Sequence, residues 1–436
     1  MAGHVCAQKK KPVLVVGYDT RFFSEEFARA AASVLEAHGC RILFCQESTP
    51  TPAIAHAILH GKLDGGVNIT ASHNPADYNG LKFSGAEGGP ALPEVTRDIE
   101  KRAAALKDEP APLDEIEDDF ERLDPRDPYF AQLEKMVRFD VIAKAKENFV
   151  CDAVHGCGAG WLDRIFMKHG VSVTAIRGNR DVLFEGSGPD PSEENLAPLK
   201  GAVQEQKAVA GLATDGDADR FGILDRDGAF VSPNHILALL FDYLLETRGE
   251  KRGASRSIAT SHLVDAVARY HGVQVYETPV GFKYVGPLLR EDKIAIGGEE
   301  SAGLTIRRHV PEKDGILACL LVAEMIAARQ ASLAEQLQAL FRRVGCECWP
   351  IRVNLHLAAD VQARLPEKLR REFKEFAGRR VAQTNRTDGL KLVFGDGSWV
   401  LMRPSGTEPV VRIYTEAGSM AAAEKLAEEA RAWISE

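Results

Sequence analysis

The chain alternates short apolar runs with longer amphipathic stretches. Pro12-Val13-Leu14-Val15-Val16-Gly17 is apolar throughout, the signature of a strand buried on both faces. It breaks at Tyr18-Asp19-Thr20-Arg21. The pattern then takes a helical period from Ser24 to His38, with Ser24 as the expected cap, Glu25 and Glu26 in the first turn, and Gly39 as the stop. Arg41 to Cys45 returns to strand. Thr51-Pro52 opens a second helix that Gly61 ends, and Leu63 to Ile69 is strand again. Strand-helix-strand-helix at this spacing predicts a parallel α/β sheet, with reactive loops at the C-terminal ends of strands. Thr70-Ala71-Ser72-His73-Asn74-Pro75 lies at such an end, a serine among small and polar neighbours with Pro75 fixing the turn. Asn79-Gly80 is a turn signal that returns Lys82 on a strand near that serine.

The same grammar recurs downstream. Residues 107–128 are rich in Asp, Glu and Pro and read as a surface connection, and a second α/β unit starts near Tyr129. Asn148 to Gly156 is a strand entering a glycine turn, and Ser257 to Ser261 is a third echo of the Val13–Arg21 unit. In Leu212 to Gly222, Asp215, Asp217 and Asp219 follow a strand at alternate positions and can converge on one hard cation when the loop curls; a polar turn is the plainer reading. An EF-hand is excluded, because Arg220 and Arg226 occupy the positions of its turn glycine and closing glutamate and no helix precedes the loop. A third domain begins near Ser232-Pro233. In it Glu277 to Lys283 runs from a strand end into a Pro/Gly turn. Ala295 to Gly303 is a further strand and loop, whose Glu299, Glu300 and Ser301 suit either hydroxyl recognition or an exposed turn. The last stretch departs from this alternation. Cys348 to Leu357 is strand-like, Pro366 to Phe376 helical, and Lys391 to Met402 a hairpin around Gly395-Asp396-Gly397. Arg403-Pro404-Ser405-Gly406-Thr407-Glu408-Pro409, a strand with Arg412 and a final helix from Ala421 follow. An arginine, two hydroxyls and amides freed by Gly406 make either a phosphate cradle or a simple turn.

Composition narrows the partners. The 436 residues are 45% hydrophobic and 27% charged, ordinary for a globular chain of three or four domains. A net charge of −9 argues against nucleic acid. No apolar run approaches the ~20 residues of a membrane span; Ile316 to Ala328, interrupted by Glu324, reads as a buried helix. Lys9-Lys10-Lys11 is followed by strand residues with no apolar leader, so no secretion signal is expected. None of the eight cysteines makes a CxxC pair; Cys346 and Cys348 are two apart and face one side of a strand, too few ligands for zinc, so reduced thiols are expected.

Taken together, four strings resemble the loops of the α-D-phosphohexomutases, the family of phosphoglucomutases and phosphomannomutases. Thr70 to Pro75 resembles the active-serine loop, Asp215 to Arg220 the metal loop, Gly298-Glu299-Glu300-Ser301 the sugar-reading loop and Arg403 to Pro409 the phosphate-binding loop, in the family's order over essentially the whole chain. The resemblance implies an α/β fold: three repeated α/β domains with mixed, largely parallel sheets plus a C-terminal α+β domain around a central cleft, divided at 1–126, 127–231, 232–347 and 348–436. It implies that Ser72 carries a phosphoryl group, that Mg²⁺ is held by Asp215, Asp217, Asp219 and the modified Ser72, and that His73, Lys82 and Arg220 complete the catalytic centre. Thr278, Gly281, Glu299, Ser301 and Lys313 would contact the sugar or its phosphate, and Arg403, Ser405, Gly406, Thr407 and Arg412 would grip the phosphate already on it. The implied reaction interconverts glucose 1-phosphate and glucose 6-phosphate, with glucose 1,6-bisphosphate as activator and intermediate.

Glu300 is similar to the glucose-preferring branch; dual-specificity and mannose-type members tend to have Met there. Phosphomannomutase and phosphoglucosamine mutase are the alternatives, with a catalytically impaired sugar-phosphate binding protein as a different class. Two departures stand out. Ala302 replaces the residue usual after the serine. The family's opening segment, similar to FGT-x-G-x-R-G, has no counterpart, so domain I is expected without its N-terminal edge strand, helix and arginine; Arg21 matches a different family position. Sugar phosphates are the expected partners, without nucleic acid or membrane, for a cytoplasmic monomer or homodimer.

Overall fold

A computed structural model describes residues 1–106, 119–405 and 410–436. The apolar runs form strands β1 (Val13–Tyr18), β2 (Arg41–Cys45), β3 (Gly65–Ile69), β4 (Leu81–Gly85) and β5 (Glu121–Leu123). Among the described residues they make one sheet in the order β4-β3-β1-β2-β5, in which β3–β4 is the antiparallel pair and the others are parallel. The central position of β1 explains its unbroken apolar run: both faces are covered. Helix Thr51–Gly61 seats directly on it because residue 17 is glycine; a Cβ there would stand 2.4 Å from Ile54 Cδ1.

Two local expectations are corrected here. Helix Ser24–Ala37 begins after Phe23, the capping residue, at φ 57°, and Ser24 makes no cap. Its hydroxyl instead donates to Asp19 Oδ1 at 2.7 Å, a buried carboxylate outcompeting the helix end. The first residues, expected to lead directly into β1, form helix Ala2–Gln8. Ala2 and Val5, one turn apart, bury against the domain core, and His4 Nδ1 pairs with Asp98 at 2.7 Å. Seven residues are too few to hold a helix alone, so these tertiary contacts make it.

The second sheet repeats the plan with β6 (Asn148–Asp152), β7 (Ser172–Ile176), β8 (Ala210–Thr214) and β9 (Phe221–Asp225), ordered β7-β6-β8-β9 among the described residues. Here β6 runs parallel to β7 and β8, and β8–β9 is an antiparallel hairpin whose turn carries the aspartates. The third repeats it again: β10 (Gly253–Ser257) lies parallel to β11 (Val275–Thr278), and β12 (Ile294–Glu299) antiparallel to β13 (Gly303–Ile306).

The chain forms two compact units, and the third repeat is divided between them. One unit holds residues 1–233 and 282–334: the first two sheets, the β12–β13 hairpin and helix Gly315–Arg329. That apolar helix is buried along nearly its whole length. Glu324 within it is fully buried and accepts from the Arg138 main chain at 2.8 Å and its Nε at 2.9 Å. No single helix among the described residues is long and apolar enough to cross a membrane.

The other unit holds residues 234–281 and 335–436. Strands β14 (Trp349–His356), β15 (Glu375–Phe376), β16 (Arg379–Asn385), β17 (Leu390–Phe394), β18 (Trp399–Pro404) and β19 (Val410–Ala417) make an antiparallel sheet in the order β14-β19-β18-β17-β16-β15 among the described residues. Helix Met420–Ser435 lies across β14 and β19. The helix expected to begin at Pro366 instead spans Ala359–Arg370 with Pro366 inside it. The missing proline N–H leaves the carbonyl of Gln362, an exposed residue, to water, which makes the interior position tolerable.

Candidate active site

Ser72 follows β3 and is held in a loop that the side chain of Arg21 threads. One guanidinium nitrogen donates to the carbonyls of Ser72 at 2.7 Å and Asn74 at 2.6 Å. The other donates to Pro75 at 2.6 Å and Tyr78 at 3.0 Å, while Nε rests 3.1 Å from Asp19. Asp19 also accepts from Thr70 Oγ1, which itself accepts the Ser72 N–H. Arg21 is fully buried, and Ser72 sits at φ 53°, a left-handed conformation this network holds in place.

The β8–β9 turn meets this loop within the same unit. Ser72 Oγ donates to Asp215 Oδ2 at 2.7 Å. The close approach requires Gly216, whose Cβ would stand 2.6 Å from the Ser72 carbonyl oxygen. Asp215, Asp217 and Asp219 are all buried, with a carboxylate oxygen of each within 4.8 Å of the others. Lys82, on β4 beside Asn68 of β3, donates to Asp217 at 2.7 Å and Asp219 at 3.3 Å. Lys313 lies 2.7 Å from Asp219, and Arg220 Nε is 3.8 Å from its other oxygen. Thr51 Oγ1 donates to Asp217 at 2.6 Å and accepts from Asn68 at 2.8 Å.

Burial, then the charges of Asp217 and Asp219, push the Asp215 carboxyl well above the usual carboxylate range. Burial also opposes ionisation of Asp219, but Lys313 and Lys82 outweigh it and hold Asp219 low. The Lys82 ammonium likewise loses solvation, and Asp217 and Asp219 more than restore it, raising its pKa. Burial, then Arg220, lowers His73 to about 3, and its Nδ1 makes no hydrogen bond. Glu312 is pushed up to about 7 by burial.

A divalent cation fits the aspartate cluster. Asp217 Oδ1 and Asp219 Oδ1 are buried without a hydrogen-bond partner, which is costly unless another positive group takes them. Carboxylate oxygens are the ligands hard cations such as Mg²⁺ prefer.

The remaining expected residues fall in both units. Glu299 ends β12 and is buried; Ser301 is half-buried in the β12–β13 turn, followed by Ala302 at φ 67°. With Lys313 they belong to the unit of Ser72. Thr278, Gly281, Arg403, Ser405 and Arg412 belong to the other unit. There Arg403 and Arg412 are direct cross-strand partners on β18 and β19, and Arg403 Nε donates to Asp388 at 2.8 Å. The main chain closes beyond them as Ser405 N donates to Val410 O at 2.8 Å. Gly406 and Thr407 lie outside the described residues.

Sequence reasoning missed Arg21 as the clamp, Thr51 and Asn68 as supports of Asp217, and Glu312 beside Lys313. Only Glu312 had a signal, its adjacency to an already suspected lysine.

Comparison with known proteins accords with this geometry. Four models of the phosphoglucomutase/phosphomannomutase family match: the α/β/α domains I, II and III at residues 1–109, 127–228 and 232–344, and the C-terminal domain at 361–432. The chain is 32% identical over 411 residues to a phosphoglucomutase/phosphomannomutase of Thermococcus kodakarensis, covering 94% of this chain and 87% of that one. It is 32% identical over 448 residues to a phosphoglucosamine mutase of Frankia alni, covering 98% and 89%. A crystal structure from Thermus thermophilus, provisionally named a phosphomannomutase, superposes with a TM-score of 0.87 at 33% identity, covering 99% of this chain and 92% of that one.

Proposed function

We propose that this chain, which belongs to the phosphoglucomutase/phosphomannomutase family, is a phosphoglucomutase that interconverts glucose 1-phosphate and glucose 6-phosphate through a phosphorylated Ser72. The observation that carries the reading is the Ser72 hydroxyl 2.7 Å from Asp215, in a loop pinned against three buried aspartates and a lysine. A serine phosphate is slow to hydrolyse unaided, so it can wait for the sugar. Its transfer needs alignment and charge neutralisation more than covalent help.

Asp215, Asp217, Asp219 and the modified serine would hold Mg²⁺, which when bound draws negative charge from the phosphoryl oxygens. Arg21 fixes the direction of the serine Cα–Cβ bond by holding the carbonyls on both sides of the turn. A sugar hydroxyl attacks phosphorus, the bond to Ser72 Oγ breaks, and Lys82 and His73 are the groups placed to pass the protons. Lys82, kept charged by its two aspartates, is suited to offset negative charge on the transferring phosphoryl group. Glu299 and Ser301 would read sugar hydroxyls. Arg403, Ser405, Gly406, Thr407 and Arg412 would grip the phosphate that stays on the sugar, with Thr278, Gly281 and Lys313 as further contacts. Reversing the roles of the two phosphates of glucose 1,6-bisphosphate completes the interconversion. The protein would work in the cytoplasm on small sugar phosphates as a monomer or homodimer, with no nucleic-acid or membrane partner.

Glu300 favours glucose. The Frankia alni likeness supports glucosamine phosphate as the second reading. The test is a coupled assay for glucose 6-phosphate from glucose 1-phosphate with Mg²⁺ and a trace of the bisphosphate, alongside Ser72→Ala. Turnover that vanishes in the variant supports the reading. Preference for the glucosamine or mannose phosphate would replace the sugar. Release of inorganic phosphate would make the protein a hydrolase, and binding without turnover a sugar-phosphate binding protein.

A further inference from the structure

Next to the aspartate cluster lies another buried carboxylate that the reaction above does not use. Asp314 follows Lys313 and is fully buried. Its Oδ1 accepts the Leu317 N–H at 2.8 Å, capping helix Gly315–Arg329. Its Oδ2 lies 2.6 Å from His309 Nε2. A carboxylate only accepts, so the ring proton sits on Nε2; Nδ1 of the same buried ring makes no hydrogen bond. The Tyr129 hydroxyl bridges both oxygens, 2.9 Å from Oδ1 and 2.8 Å from Oδ2. A cap needs only the helix N–H. Two further donors, both on buried side chains, fix this one residue more tightly than capping requires.

What Asp314 controls is its neighbour. Lys313 Nζ lies 2.7 Å from Asp219 Oδ2, an oxygen that Lys82 also approaches at 3.3 Å. Asp219 Oδ1 is left without a hydrogen bond and is one of the orphaned oxygens that fit a cation. The Lys313 stem runs close along the chain at Gly303, where a Cβ would stand 2.3 Å from Lys313 Cδ. The main chain beyond it is tied to the aspartate turn by Gly315 N, 3.1 Å from Ala218 O. A shift of Asp314 therefore moves Lys313, and with it which Asp219 oxygen is occupied.

Tyr129 also reaches the other side of the cluster. It stands on helix Arg126–Met136, whose Gln132 donates to the Arg308 carbonyl at 2.8 Å, a second tie to the same segment. Its ring packs edge-on against His56, with centroids 6.0 Å apart. His56 belongs to helix Thr51–Gly61, whose first residue bonds Asp217. One phenol thus touches the elements that present Thr51 to Asp217 and Lys313 to Asp219. All of them lie in the unit of residues 1–233 and 282–334.

We propose that Tyr129 is a positioning residue of the cation-binding centre: through Asp314 its hydroxyl sets Lys313 on Asp219 Oδ2 and keeps Asp219 Oδ1 turned to the cation. Its bearing on turnover rests on the phosphoryl-transfer reading; its bearing on the cation does not.

Tyr129→Phe keeps the ring and removes only the bridging oxygen. The full-length protein and its variants are melted over a Mg²⁺ series without substrate, which reads an apparent Mg²⁺ Kd. The expected result is a Kd raised about tenfold, the low end of what a lost supporting hydrogen bond costs a metal site. In Lys313→Met the same change is expected to add no further loss, because the effect runs through the lysine. Glu324→Gln weakens the buried contact with Arg138 on the same helix. It is expected to lower melting without moving the Kd. In turnover, Tyr129→Phe should need about tenfold more Mg²⁺ for half-maximal rate, with the sugar-phosphate KM unchanged.

A Kd unchanged in Tyr129→Phe, or raised equally by Glu324→Gln, would overturn the proposal. So would an undiminished loss in the Lys313→Met background. If the protein shows no mutase activity, the melting series still decides; if it turns over and the Kd does not move, this inference alone fails. Should Tyr129→Phe not fold, Gln132→Ala, which cuts the second tie, is expected to raise the Kd, and no change there would overturn the proposal.

Discussion

The guanidinium of Arg21 donates to the main-chain carbonyl of Ser72 from 2.7 Å and, through its remaining hydrogens, to three more carbonyls of the same loop. An arginine is the one side chain with enough fixed donors for this; a lysine ammonium is a point charge with three. Arg21→Lys is therefore expected to leave at least one loop carbonyl and part of Asp19 unsatisfied. It should lower stability by about 1–3 kcal/mol and slow turnover roughly 100-fold through misplacement of Ser72. Thermal melting together with turnover at saturating substrate checks this, and unchanged turnover would mean the clamp does not orient the serine.

The serine and aspartate loops touch at a glycine. A methyl group at residue 216 would meet the Ser72 carbonyl oxygen at 2.6 Å and Pro189 at 3.0 Å. Gly216→Ala should force the loops apart by several tenths of an ångström. The expected outcome is a drop in turnover of about tenfold or more with a melting change of a few degrees. Loss of melting stability with full residual activity in the folded fraction would count against a functional contact here.

Cation binding can be read without catalysis. If the orphaned oxygens of Asp217 and Asp219 take Mg²⁺, the protein should melt higher as Mg²⁺ is added, by about 2.7 kcal/mol of extra stability at a hundredfold excess over Kd, and fall back on chelation. Asp217→Asn should lose most of the effect. An equal shift in the variant would place the cation elsewhere.

Lys391 gives a pH prediction remote from that cluster. It is almost fully buried, donates to the Ile258 carbonyl at 2.7 Å, touches His262 Nε2 at 3.0 Å and lies 3.9 Å above the Trp399 ring. Burial, then Arg256, lowers its pKa to about 7. In the unfolded chain the amine titrates at its usual value near 10.4. Between those two values the unfolded state binds the extra proton, so this group makes stability rise with pH from about 7 towards about 10. Lys391→Met should flatten that rise, seen as a smaller change in urea midpoint between neutral and alkaline buffers. The same slope in the variant would show that other groups cause it.

Much of the fold is legible in the letters because β1, covered on both faces, leaves an unbroken apolar run, and the equally buried β8 and β12 are apolar or glycine up to their last residue. The Asn79-Gly80 turn likewise reveals that Lys82 returns beside Ser72. The four loops are legible as strings because each packs unusual residues into a few positions. What stays hidden is whatever depends on a distant partner. Helix Ala2–Gln8 exists through Asp98 and the domain core, Ser24 serves Asp19 instead of its helix, and Arg21 looks like any charged loop residue until residues 72–78 wrap around it. Thr51 is ordinary at a helix start, and its bond to Asp217 spans 166 positions of chain.

That span has a consequence for biosynthesis. As the chain leaves the ribosome, Ser72 and Lys82 emerge first, the aspartates well over a hundred residues later, and Lys313 and Gly315, whose N–H donates to Ala218 O at 3.1 Å, later still. Until then the aspartate turn lacks one of its two lysines and the helix that backs it. A nascent or prematurely terminated chain ending before residue 315 would thus expose a half-built acidic loop and the uncovered apolar faces of β8 and β9. Such chains are natural clients for chaperones, and cotranslational folding of the first two domains should stall short of the native state until helix Gly315–Arg329 arrives.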